Sequence, residues 1–405
     1  MIDLGNGIKT NAQLTYPVIG GNGSGKYPGV LLIAGSGAED MNGTAGFIRI
    51  DNKTGQKVYP PAQPIFQIAQ YLSERGFAVL RYDKRGVGAN FTILDSNVWG
   101  NLTINDIVRD ANKALAVLMN QPEVDANRIT VLGHSEGTTI TPRLAIDNPN
   151  KVKNIVLIGA LAQNMSEILY FQTVTLPISY AQKVLDKNHN GLLSIQEASK
   201  DVTFQRLIGG NISLILTKNL PNGTRIINPK DNLNNDTYIN INTELKPALI
   251  EQAKSFFSPS RQMAGAAATN TTTGASSNKC INLEGCPMYS ESFLALEPNL
   301  NTISKVPQNT SILILNGEND TQTPVHGALL LQQKLTQINQ PDHILITYPN
   351  LGHEFHPSSQ WQTEHGLIPP YVLADLYSWL ESHSGLTRIP ALMLSPNSYS
   401  GSTTK

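Results

Sequence analysis

From Gly29 to Ala160 the chain alternates short β-branched apolar runs with amphipathic stretches. The runs are Val30–Ala34, Ala78–Tyr82, Ile129–Leu132 and Ile155–Ile158. Strands separated by helical stretches are how a parallel sheet covered by helices reads. Between the second and third runs, Ile104, Ile107, Val108, Ala111, Ala114, Leu115 and Leu118 fall at three- and four-residue steps. That spacing puts them on one face of a helix. After Ala160 the rhythm stops. Residues from about Leu161 to Val306 are helical in patches, rich in Asn, and include a low-complexity run, Ala264–Asn278. The alternation then resumes with strand Ile312–Leu315, a helix from Pro324 to about Gln337, strand Ile344–Tyr348 and a last helix near Pro370–Ser382. The pattern predicts an α/β core in two sequence pieces, residues 1–160 and 307–383. Residues 161–306 are then an inserted cap, and 384–405 a loosely attached polar tail.

A chain of 405 residues can bury a large core. Lys and Arg number 30 against 31 Asp and Glu, with no basic block or stripe, which argues against a nucleic-acid partner. No apolar run reaches membrane-spanning length. The opening MIDLGNGIKTNAQLTYP lacks the basic and apolar segments of a signal peptide, although a removed signal replaced by a starter Met looks the same. Two features point outside the cell. Cys280 and Cys286 sit close together without metal-ligand neighbours, and a disulfide between them closes a loop worth about 2 kcal/mol; two free thiols are the alternative. Asn-x-Ser/Thr acceptors also recur, among them Asn42, Asn90, Asn101 and Asn164. The expectation is a secreted or cell-surface protein, with the cytoplasm as the alternative. Oligomeric state is not legible.

The chemistry centres on Gly133-His134-Ser135-Glu136-Gly137, which follows an apolar strand and precedes a helix-like segment, Thr138–Ile146. A nucleophilic Ser needs a sharp, strained turn so that its Oγ projects into the site, and the flanking glycines permit the close backbone packing. The turn also puts the Glu136 N–H beside the developing oxyanion. A second donor is expected from Ala34-Gly35-Ser36-Gly37-Ala38, where small residues let amides approach a substrate oxygen. Ser36 is the first choice and Gly37 the next.

A Ser hydroxyl needs a base, and the base needs a carboxylate to fix its tautomer. Strand Ile312–Leu315 leads into a loop holding Asp320, and strand Ile344–Tyr348 leads into one holding His353. Ser135, Asp320 and His353 therefore all follow the carboxyl ends of strands, where ligands gather in open α/β sheets. Glu318 is the rival acid and His356 the rival base. Asp320 better fits the Gly-x-x-Asp-x-x-x-Pro spacing, and His356 lies three residues past His353.

The Gly-Ser-Gly loop, Asp83-x-Arg85-Gly86-x-Gly88, Gly133-His134-Ser135-Glu136-Gly137, Asp320-x-x-x-Pro324 and Gly352-His353 together resemble α/β-hydrolase fold carboxylesterases. The resemblance is closest to prokaryotic serine esterases related to dienelactone hydrolases and acyl-CoA thioesterases. It covers roughly Pro28–Ala160 and Ser311–Ser382. It implies an eight-stranded, mostly parallel sheet, an acyl-enzyme on Ser135, and hydrolysis of small-molecule esters without a catalytic cofactor. Serine at the elbow departs from dienelactone hydrolase itself. Short to medium acyl chains are expected. A thioesterase, acyltransferase or peptidase using the same triad is the alternative, and a non-catalytic, calcium-stabilised binding protein is a further one.

Within the insertion, residues 186–197 match a twelve-residue EF-hand loop. Asp186, Asn188, Asn190 and Ser194 supply oxygens at positions one, three, five and nine. Gly191 allows the sharp turn, Leu192 offers its carbonyl, and Glu197 can bind bidentately. Flanking segments Ser179–Leu185 and Ile195–Leu207 are candidate helices. The expectation is a structural calcium ion that orders the cap, of modest affinity because only Asp186 and Glu197 are charged.

Overall fold

The computed structural model describes residues 1–17, 26–44, 49–50, 57–58, 62–210, 212, 217–219, 225–227, 237–256 and 286–386. Cys280, the run Ala264–Asn278 and most of the C-terminal tail lie outside the described residues, so the disulfide expectation falls outside them as well.

Seven strands form the central sheet: β1 (Ala12–Thr15), β2 (Tyr27–Ile33), β3 (Ala78–Tyr82), β4 (Val124–His134), β5 (Val152–Ile158), β6 (Ser311–Gly317) and β7 (His343–Tyr348). Their spatial order is β7-β6-β5-β4-β2-β3-β1. All neighbours run parallel except β1, which pairs antiparallel with β3 at the edge, Ala12 opposite Tyr82. The sheet is mostly parallel, as expected, but has seven strands rather than eight among the described residues. The first two extended segments, Ile2–Gly5 and Ile8–Thr10, pair with each other in a separate hairpin instead of joining it.

Successive strand residues face opposite sides, and both sides are dry here. Leu31, Ile33, Val131, Ile155, Leu157, Ile312 and Ile314 join one apolar cluster. Val30, Leu32, Leu132, Val156, Ile158, Leu313 and Leu315 join the other. This is why the strands read as continuous apolar runs rather than alternating ones. Helices α1 (Pro64–Ser73), α2 (Ile104–Met119), α3 (Gly137–Asp147), α4 (Pro287–Leu294), α5 (Val325–Gln337) and α6 (Pro370–Ser384) accompany the sheet. Helix α2 begins at a reciprocal Thr103–Asp106 capping box, which satisfies amides that a helix start leaves unpaired. It buries the predicted face through Ile104, Ile107, Ala111, Ala114, Leu115 and Leu118, at roughly 1.5–3 kcal/mol for each large aliphatic side chain.

Between β5 and β6 the chain contributes to two different cores. Val174, Ile178, Tyr180, Leu193, Phe204, Ile239, Leu245 and Leu249 form a third cluster of their own. Cys286, Tyr289, Phe293, Ile303 and Val306 instead lie in the cluster shared with α2 and α3. Arg143 of α3 reaches the returning chain at Asn299 Oδ1, 3.3 Å, and Asn299 Nδ2 donates to the carbonyls of Thr138, 2.9 Å, and Leu161, 2.7 Å. Among the described residues no helix is long and apolar enough to cross a membrane.

Candidate active site

The turn between β4 and α3 carries Ser135 at φ +53°, a left-handed conformation that costs an L-residue about 1–2 kcal/mol. Packing holds it there. A Cβ on Gly133 would stand 2.2 Å from the Gly137 carbonyl oxygen, and one on Gly137 would stand 2.5 Å from that of Ile33. Neither glycine can carry a side chain without opening the elbow. Ser135 N donates to Ile158 O at 2.9 Å, which ties the turn to the end of β5. The α3 helix starts at Gly137, one residue before the expected Thr138.

The loops after β6 and β7 bring Asp320 and His353 together. Asp320 Oδ2 lies 2.8 Å from His353 Nδ1. Its Oδ1 accepts from the amides of Gln322 and Thr323, both at 2.8 Å, which fixes the carboxylate's plane. Thr323 Oγ1 donates to Asp320 Oδ2 at 2.8 Å and stands 3.1 Å from His353 Nδ1. With Nδ1–H given to Asp320, the imidazole keeps its lone pair on Nε2, the tautomer a base requires. Both residues are buried. Burial pushes the His353 imidazole down, but the charges of Asp320, Glu354 and Glu39 outweigh it and hold the proton affinity above the ordinary value. Gly159, past the end of β5, lies against this ring: a Cβ there would be 3.0 Å from His353 Cε1.

The rivals are placed elsewhere. Glu318 accepts from Thr347 Oγ1 at 2.9 Å on the exposed rim. His356 reaches the carbonyl of Leu367 at 3.4 Å. His134 is buried, with Nε2 3.2 Å from the His353 carbonyl oxygen.

Ser36 follows β2 in the loop facing the elbow. A Cβ on neighbouring Gly35 would lie 3.2 Å from Ser135 Cβ, so this loop passes directly over Ser135. Several side chains around it were not singled out from sequence. Glu39 accepts from Gly35 N at 2.6 Å, and burial pushes its carboxyl up to about 7 against the pull of Lys84. Lys84 Nζ lies 2.8 Å from Glu136 Oε1, and both side chains are buried. Tyr289 Oη donates to the other Glu136 oxygen. Glu354 lies 2.9 Å from His365 Nδ1. Lys84, the residue between the two named positions of Asp83-x-Arg85, is the one of this loop that reaches Glu136.

In the insertion, the loop after the helical turn Ala181–Leu185 folds on its own oxygens. Asp186 is buried and accepts from Asn190 N at 3.0 Å and Gly191 N at 2.8 Å. Asn188 Oδ1 accepts from Asn190 N at 3.2 Å, and Asn190 Oδ1 from Leu192 N at 2.9 Å. Gly191 takes φ +77°. Leu192–Ser194 is a short strand paired antiparallel with Tyr238–Asn240, placing Leu193 opposite Ile239. Ser194 caps the helix Ile195–Lys200 by accepting from Glu197 N at 3.4 Å, and Glu197 is exposed. Among the described residues no three His, Cys, Asp or Glu side chains converge as a metal cluster. A cation here must draw on amide, hydroxyl and carbonyl oxygens beside the two carboxylates, a donor set that suits a hard ion.

Residues 61–359 match the family model described as alpha/beta hydrolase fold. Esterase EstD of Thermotoga maritima is 32% identical over 190 residues, which is 46% of this chain and 38% of that protein. The match thus spans well under two thirds of the relative's length. Among solved structures, proline iminopeptidase of Mycobacterium smegmatis is similar at 15% identity and TM-score 0.49, covering 95% of this chain and 97% of that one. Est1E from Butyrivibrio proteoclasticus with ferulic acid bound is similar at 14% identity and TM-score 0.46, covering 95% and 99%.

Proposed function

The chain belongs to the alpha/beta hydrolase fold family, and on that premise we propose that it is a serine carboxylesterase acting on small-molecule esters. The observation that carries the reading is the buried Asp320–His353 pair at 2.8 Å, on the same sheet edge as a Ser135 held at φ +53°. In this reading His353 Nε2 takes the Ser135 proton as Oγ attacks the ester carbonyl. The amides of Glu136 and Ser36 receive the oxyanion. The imidazolium then protonates the leaving alcohol, giving an acyl-enzyme, and water activated by the same His releases the acid. Asp320 stabilises the imidazolium and Thr323 steadies Asp320. The likeness to an esterase over part of the chain supports this class of reaction. The relation to dienelactone hydrolases and acyl-CoA thioesterases belongs to the same reading.

We assign residues 161–306 the role of a cap bordering the pocket, with short to medium acyl chains as the preferred substrates. Residues 186–197 would hold a structural calcium ion through Asp186, Asn188, Asn190, the Leu192 carbonyl, Ser194 and Glu197, supplying rigidity to the third apolar cluster and no step of the reaction. A secreted or cell-surface location completes the reading.

The test is labelling with a fluorophosphonate, together with turnover of a p-nitrophenyl ester chain-length panel. Labelling lost in Ser135→Ala and fastest turnover on short or medium esters are expected. Equal labelling of the Ser135→Ala variant rejects the nucleophile assignment. Faster turnover of acyl-CoA or of aminoacyl anilides moves the chain to a thioesterase or a peptidase.

A further inference from the structure

Both candidate oxyanion donors lie on segments that converge on one buried ammonium. We propose that Lys84 is the positioning residue of the oxyanion hole, a role that rests on the serine-esterase reading above. Its backbone is fixed from both sides. Asp83 Oδ1 accepts from Met41 N at 2.7 Å, and Arg85 Nε donates to Asp110 Oδ2 at 2.6 Å. The side chain then runs inward, and its three ammonium protons have three acceptors: the carbonyl of Gly35, the carbonyl of Gly37 at 3.2 Å, and Glu136 Oε1 at 2.8 Å.

Peptide geometry gives these contacts their consequence. In a planar trans peptide the carbonyl oxygen and the next N–H point in opposite directions. Lys84 draws the Gly35 oxygen to its own side, so the Ser36 N–H is turned away from Lys84. Gly35 itself lies against Ser135, as the 3.2 Å approach of its Cβ position to Ser135 Cβ records. On the other segment, Glu136 follows the nucleophile directly, and capture of its side chain by Lys84 and Tyr289 anchors the residue whose amide is the first donor. One ammonium thus sets the spacing between the two donors. Tyr289, from helix α4, extends the brace to the chain that returns from the insertion.

A plain structural ion pair makes a different prediction, and paired substitutions separate the two. Lys84→Met alone strands a buried carboxylate and is expected to destabilise. Lys84→Met combined with Glu136→Gln removes both charges, so its Tm should return towards that of the unsubstituted protein. The brace predicts that kcat of this double variant still falls, by about 10²–10³-fold as for loss of one oxyanion donor, with KM little changed. Its fluorophosphonate labelling should slow in parallel. Full kcat in the folded double variant overturns the proposal. If neither variant folds, Lys84→Arg decides: it keeps a charge opposite Glu136, but a planar fork cannot seat three converging acceptors as an ammonium does. Reduced kcat at unchanged KM supports the brace, and full kcat rejects it. Failure of the unsubstituted protein to label at Ser135 strikes the esterase reading instead, so the two failures are distinct.

Discussion

The rings of His134 and His353 lie 4.7 Å apart, centroid to centroid, and their surroundings drive them to opposite protonation behaviour. His134 is pushed down to about 4, first by burial and then by the neighbouring His353. His353 faces the same burial but gains the charges of Asp320, Glu354 and Glu39, which carry it upward. The neutral ring next door therefore adds no second positive charge at working pH. Because the proposed reaction uses neutral His353, kcat/KM should rise with pH through an apparent pKa above 6.5 and then level. Removing one source of negative charge should lower that limb: Glu354→Gln is expected to shift it to lower pH while leaving the plateau nearly unchanged. A pH profile of both proteins checks this, and an unmoved or raised limb contradicts it.

Glu39 predicts a pH-dependent stability of definite sign. Its carboxyl is raised from 4.5 to about 7, chiefly by burial. The folded protein thus binds the proton more tightly than the unfolded chain does, and stability falls as pH rises from about 4.5 to about 7. Glu39→Gln removes that loss. The Tm of the variant relative to the unsubstituted protein should therefore be more favourable at pH 8 than at pH 5. A difference that is constant, or that grows towards acid, rejects the assignment.

Arg85 and Asp110 join the loop after β3 to helix α2 through a largely buried pair, 12% and 4% exposed. Removing one partner of such a pair costs about 3–5 kcal/mol when the remaining charge is left uncompensated, but Arg85 Nη1 also lies 3.5 Å from Asp106 Oδ1 and keeps that partner. Asp110→Ala should therefore lose part of that, above about 1 kcal/mol, in urea unfolding. Because Lys84 stands next to Arg85, some loss of kcat should accompany it. A loss under about 1 kcal/mol would place the pair with exposed ion pairs.

For the loop of residues 186–197, calcium at about a hundred times its dissociation constant should add roughly 2.7 kcal/mol to the stability of the unit it binds. Thermal melts with calcium and with chelator should differ, and the difference should vanish in Asp186→Ala. Ester turnover at low temperature should change little, since the proposed mechanism routes no step through the ion. Identical melts with and without chelator argue that this loop is held by its Asx-type hydrogen bonds alone.

The inner parallel strands were legible because they are buried on both faces and carry unbroken apolar runs, and the half-buried edge strand β7 because Ile344–Tyr348 is rich in β-branched residues. The edge strand β1 was not, since Ala12–Thr15 is half-exposed and carries no such run. Ser135, Asp320 and His353 announce themselves locally, through glycines and strand ends adjacent in sequence. The residues that surround them do not. Lys84 meets Glu136 across 52 positions, and Tyr289 meets it across 153. No local spacing encodes those meetings; they exist only once the sheet order is set. Thr323 is an intermediate case, since an Asp followed three residues later by Thr is a turn signature, and its second contact, to His353, is tertiary.

The divided packing of the stretch between β5 and β6 bears on how such chains can be recombined. Cys286, Tyr289, Phe293, Ile303 and Val306 interlock with the sheet side of the molecule, while Val174, Phe204, Leu249 and their neighbours share a separate nucleus that meets the rest of the chain at Trp361. A graft that exchanges the whole stretch from the end of β5 to the start of β6 would tear Tyr289, Asn299 and Ile303 from the scaffold that seats Ser135. A junction placed after Phe256 and before Cys286 leaves those residues at home, and confines the exchange to a segment that must still match Trp361 and the Gln322 carbonyl.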